Sequence, residues 1–101
     1  MPTIFHFDWD EVKARANQKK HTVGFMQAEA VFRDPLALTI YDEEHSDEEE
    51  RWITTGLTAA HQHLVVVHTF QEENPGGVHV RIISARHADR GEIADYQEAP
   101  R

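Results

Sequence analysis

The chain has 101 residues, enough for one domain built round one modest core. It contains no cysteine, which excludes a disulfide framework, a thiolate nucleophile and a thiolate metal site. A formal net charge of −8 speaks against a uniformly basic nucleic-acid surface, yet seven of the 18 acids crowd into residues 42–50 and the rest of the chain is close to neutral. At 40% hydrophobic residues the chain is too apolar for wholesale disorder. No run reaches membrane-spanning length, and residues 1–10 lack the basic and apolar regions of a leader, so a soluble cytoplasmic protein without membrane contact is expected.

In chain order, Ile4-Phe-His-Phe7 reads as a first strand or an anchoring arm. Asp8 and Asp10 offer helix caps, and a helix is expected from Asp10 to about Lys20, with Trp9, Val12 and Ala16 as its apolar stripe. After His21-Thr-Val-Gly24, a second helix runs from Phe25 to about Asp34, with Phe25, Ala28, Val31 and Phe32 inward and Pro35 ending it. Strands follow at 36–41, 51–57 and 64–70, with the acidic run 42–50 as an exposed loop between the first two. Asn74-Pro-Gly-Gly77 turns the chain into Val78-His-Val-Arg-Ile-Ile-Ser-Ala-Arg86, the last strand. On it Val78, Val80, Ile82 and Ser84 share one face, and His79, Arg81, Ile83 and Ala85 the other. Simple alternation sends Arg86 to the face opposite Arg81, so the two converge only if the strand bends or ends. A weak helix closes the chain over 88–98. The expected fold is α+β: two N-terminal helices packed on a twisted antiparallel sheet of four main strands, then a C-terminal helix, all in one domain over 1–101.

Nucleotide-binding and hydrolase signatures are missing. The eight histidines lack metal-site spacing, with His61 and His63 only two apart in a loop, and the acids lack a calcium-loop pattern, so neither metal nor cofactor is expected. The side chains suited to chemistry are Arg51, His68, Arg81 and Arg86, with His21, Lys13 and Tyr96 as further candidates. Such groups fit metal-free RNA cleavage, in which a base takes the 2′-hydroxyl proton and arginines stabilise the phosphorane. They fit equally well as strand residues satisfied by neighbouring acids.

The order of residues is more informative. Phe7-Asp-Trp-Asp10, Lys13, Asn17, Lys20-His21, Val23, Phe25, Ala28, Val31-Phe32 and Asp34-Pro35 resemble the first half of the BrnT family. Glu50-Arg51-Trp52, Gly56, Leu64-Val-Val-Val-His-Thr69, Arg81-Ile-Ile-Ser-Ala-Arg86, Ala88, Glu92 and Tyr96 resemble its second half. The resemblance implies a RelE-like fold and a ribonuclease toxin of a type II toxin–antitoxin module that stops translation. It also implies neutralisation by a BrnA-like ribbon-helix-helix antitoxin, through which alone operator DNA is reached, and admits a homodimer within a hetero-oligomer. Carried onto this chain, it makes Trp9, Lys13, Arg51, Arg81 and Arg86 functional positions, and it leaves the general base open. From the residues themselves, His68 is the expected proton carrier in a catalytic set with Arg51, Arg81 and Arg86, His21 is the other candidate, and Trp9, Lys13 and His21 are expected in RNA contact. One segment departs from the family: residues 88–96 hold one arginine and three acids where the family is basic. The competing reading is a weak or inactive toxin-like module that binds the antitoxin and tunes repression.

Overall fold

A computed structural model describes residues 3–73 and 75–100. Its longest strand is the expected last one, β6 (Gly77–His87), and the rest of the sheet is built on it. The other strands are β1 (Ile4–Asp8), β2 (Leu38–Tyr41), β3 (Trp52–Leu57), β4 (His63–His68) and the short β5 (Gln71–Glu73). They form one six-stranded sheet in the order β1-β6-β4-β3-β2, with β5 also on β6. The four expected strands are all present, but the sheet is mixed. β1 runs parallel to β6, with Ile4 opposite Gly77 and Asp8 opposite Arg81. No local pattern in Ile4–Phe7 announces a partner so far along the chain. Asn74, expected in the turn before β6, lies outside the described residues. No described helix is long and apolar enough to cross a membrane.

Helix α1 (Glu11–His21) starts where the Asp10 carboxylate accepts the amides of Val12 and Lys13, at 2.8 and 3.2 Å. Of its expected stripe only Trp9 packs against the core. Val12 and Ala16 are exposed, whereas Asn17 is buried and Ala14 touches the core. The Asn17 amide donates to the carbonyls of Val23 (3.0 Å) and Ala85 (2.8 Å) and accepts from the Ala85 amide (3.1 Å). Beyond Arg81 the β1 side of β6 has no strand beside it, so this side chain stands in for one residue of missing ladder. Helix α2 (Phe25–Glu29) continues as a 3-10 turn over Ala30–Arg33 and stops before Pro35, with Phe25, Ala28 and Val31 buried as expected. The turn lies so close to β3 that a Cβ on Gly56 would come within 2.8 Å of Val31 Cβ. Helix α3 (Arg90–Glu98) is better started than its composition suggests: Asp89 and Glu92 cap each other's amides, at 2.8 and 2.9 Å. Its Tyr96 hydroxyl donates to Asp34, whose carboxylate also takes the Leu57 amide.

All of α1, α2 and the 3-10 turn cover one face of the sheet, where Val23, Phe25, Val31, Leu64, Val66, Val78, Val80, Ile82 and Ala85 form the core. Phe5 and Phe7 of β1 pack there with Phe32. The opposite, outer face carries α3 at one end only.

Candidate functional site

The outer face owes its chemistry to one irregularity in β6. Pairing with β4 steps from Val67–Ser84 to His68–Ile82, so Ile83 is an extra residue and alternation is reset. Arg81 and Arg86 therefore lie on the same face, despite their spacing. They do not meet there. Arg86 makes a two-pronged pair with Glu92 of α3, 2.7 Å for each bond, and this hydrogen bonding holds the Glu92 carboxyl below its usual range and raises the Arg86 guanidinium. The apolar floor beside it is formed by Leu38, Ile40, Ile53, Val65 and Val67.

Arg81 instead meets Arg51. Both address the Glu49 carboxylate: Arg81 bonds it directly, and the Arg51 Nη2 lies 3.9 Å from the same oxygen. Glu49 belongs to the acidic run, which is not merely a solvated loop. It makes a 3-10 turn over Glu43–His45, buries Asp42 against His45 at 3.0 Å, and is tied back where the Arg51 amide donates to Ser46 Oγ at 3.0 Å. Among the described residues, Arg51 Nε is a buried side-chain donor without a hydrogen-bond partner. Such an atom needs explaining, because an unmet buried donor costs about 1–3 kcal/mol.

Arg81 also opens onto a pocket of about 280 Å³ that it shares with Glu49, Thr69 and His79. Thr69 shapes the corner: its hydroxyl accepts the Arg81 amide at 3.1 Å and its amide donates to the Arg81 carbonyl at 3.0 Å, where the strand expected over 64–70 breaks between β4 and β5. His79 Nε2 lies 3.1 Å from Asp8 Oδ2. The sequence reading passed over His79, Asp8 and Glu49. Two signals were available, namely the shared parity of His79 with Arg81 and the alternative role of an Asp read only as a cap.

His68 is elsewhere. It is 0% exposed, on the helix face, with its ring edge-on to Phe32 at 4.8 Å. Its Nδ1–H donates to the Thr69 carbonyl (2.8 Å), so Nε2 accepts from Thr54 Oγ1 (2.7 Å), which in turn lies 2.8 Å from Thr39 Oγ1. Burial lowers its pKa, against the opposing effect of the Thr69 bond. A neutral, fully bonded and sealed imidazole has no access to a substrate hydroxyl, so the geometry gives His68 a packing role in place of the expected proton transfer.

Trp9, Lys13 and His21 also lie on the helix side. Trp9 packs edge-on against Phe25 at 5.9 Å and donates to Glu11 at 3.2 Å, Lys13 is exposed, and His21 ends α1. They are separated from the arginines by the sheet, although Trp9 directly follows Asp8 at the β1 edge. Tyr96 and His63 pack ring to ring at 5.2 Å, away from Arg81. Among the described residues, no group of three or more His, Asp or Glu side chains is arranged to hold a metal ion.

The chain has counterparts among known proteins. A family model described as "Ribonuclease toxin, BrnT, of type II toxin-antitoxin system" matches residues 9–92. Among solved structures, the chain is similar in fold to the Brucella abortus ribonuclease toxin BrnT, seen in a crystal structure at 1.1 Å. The two are 21% identical with a TM-score of 0.59, over 87% of this chain and 100% of that one. No curated protein matches the chain.

Proposed function

Since this chain belongs to the family of BrnT ribonuclease toxins of type II toxin–antitoxin systems, we propose that it is a metal-independent endoribonuclease that stops translation in the cytoplasm. Family membership itself implies an antitoxin partner; we take this to be a BrnA-like ribbon-helix-helix protein that carries the complex, with the toxin as a homodimer, to operator DNA. The sheet and its helices are read as a RelE-type scaffold.

The observation that carries the reading is the Arg51–Arg81 pair, converging on one carboxylate with a buried Nε left unbonded. Two guanidiniums aimed at one acceptor match a phosphodiester, and they stabilise the extra charge of the phosphorane more than that of the ground state. Glu49 then acts as the internal stand-in for phosphate, displaced when RNA arrives. Arg86 anchors α3 instead of touching the scissile group. An RNA strand crossing the β1 edge would pass from Arg81 to Trp9, Lys13 and His21.

The test is cleavage of total bacterial RNA in excess EDTA by antitoxin-free protein. Wild type should cleave, folded Arg51→Ala and Arg81→Ala should lose about 100-fold in rate, and folded Arg86→Ala should keep most of it. Glu49→Gln should bind RNA several-fold more tightly. A second reading, a regulatory module without catalysis, is favoured by one observation: Arg81 and Arg86 are each already engaged by an internal carboxylate. Folded wild type that cleaves no RNA would decide for it.

A further inference from the structure

We infer that His79, held by Asp8, takes the proton from the attacking 2′-hydroxyl when this site cleaves RNA; the inference rests on the ribonuclease reading above. Burial removes His68 from reach, so the proton carrier must be sought on the outer face with Arg81. His79 is on the same strand as Arg81 and the same face, two residues away, or roughly 6–7 Å along the backbone. It lines the pocket into which Arg81 opens and is about one-third exposed, so an RNA strand can reach it.

Asp8 supplies what a catalytic imidazole needs. His79 Nε2 lies 3.1 Å from Asp8 Oδ2; in the proposed arrangement this nitrogen carries the ring proton and Nδ1 is the accepting nitrogen. A carboxylate behind the ring also faces the positive charge that forms during transfer. The position of Asp8 is fixed by the β1–β6 register, which sets it directly across from Arg81. The other groups facing His79 are His6 from β1, Arg81 on its own strand, Glu49 and Glu50 from the acidic loop, and the uncharged Gln71 from β5.

The step balances as follows. The 2′-hydroxyl gives its proton to His79 Nδ1 as the O2′–P bond forms and the P–O5′ bond breaks. The departing 5′-oxygen takes a proton from a water molecule, and the hydroxide so formed takes the proton back from His79. The products are a 2′,3′-cyclic phosphate and a 5′-hydroxyl end.

The experiment compares wild type, His79→Ala, His79→Gln and Asp8→Asn on a single-stranded RNA oligonucleotide, with affinity read on its 2′-deoxy counterpart, which cannot be cleaved. Both His79 variants should bind within about twofold of wild type and cleave at least 100-fold more slowly. Added imidazole should restore part of the His79→Ala rate, and Asp8→Asn should slow cleavage without weakening binding. Wild-type rates in both His79 variants, or parallel loss of affinity and cleavage, would overturn the role of His79 while leaving the ribonuclease reading intact. A wild type that cleaves nothing would remove the ribonuclease reading, and this inference with it.

Discussion

Glu49 holds two arginines in a position they would otherwise have to find on binding. Organic anions and phosphate esters compete for the same donors, so the carboxylate keeps the pocket ordered at the expense of affinity. His68 shows the opposite use of a polar side chain, as a sealed spacer between β3, β4 and Phe32. Its lowered pKa has a testable consequence. Above the unfolded value of about 6.5 both states are neutral and the contribution of His68 to stability is complete. As pH falls below 6.5, the unfolded chain takes up a proton that the folded chain refuses, and stability declines towards the lowered folded pKa. Urea midpoints between pH 7 and pH 5 should therefore fall more steeply in wild type than in His68→Gln, by about one proton's worth of slope. Equal slopes would show that the imidazole titrates alike in both states.

At the level of elements, the sequence was most legible where a pattern is local. The Asp10 cap, the inward face of Phe25, Ala28 and Val31, and the β-branched run of β6 were all readable, because each depends on residues a few positions apart. Three features were not. The extra residue Ile83 depends on pairing with β4, so simple alternation wrongly set Arg86 against Arg81. The stripe on α1 misled because the packed face is centred on a polar residue, chosen for hydrogen bonding and not for hydrophobicity. The partnership of Glu49 with Arg81 spans 32 residues, beyond any spacing rule. Asn17 is accordingly the residue of α1 whose loss should cost most. Asn17→Ala would strip three buried backbone groups of their partner and should destabilise the fold by about 3 kcal/mol. Asn17→Asp should be at least as damaging, since a carboxylate cannot donate to the Val23 and Ala85 carbonyls. Urea denaturation checks both, and a loss under about 1 kcal/mol would mean that water replaces the amide readily.

Across the whole molecule, the sheet divides labour between its faces. The helix face holds the core. The outer face is polar at the β1–β6 end, where Asp8, His79, Arg81, Glu49 and Arg51 gather, and apolar between β2 and α3. The strong acidity of the chain is thereby partly a property of its site, since Glu49 is spent on Arg81 and Glu92 on Arg86.

The parallel pairing of β1 with β6 also imposes an order in time. Ile4 leaves the ribosome first, but its partner Gly77 follows some 70 residues later, which at about 5–20 residues per second is a wait of roughly 4–15 s. Until then Asp8 has no His79 beside it and Arg51 has no Arg81. Chains stalled during synthesis should stay sensitive to protease until β6 has emerged, then become resistant in one step; gradual protection from β4 onwards would contradict this. A nascent copy therefore carries no assembled site until β6 has emerged, since neither the His79–Asp8 contact nor the Arg81–Glu49 pair can form before then.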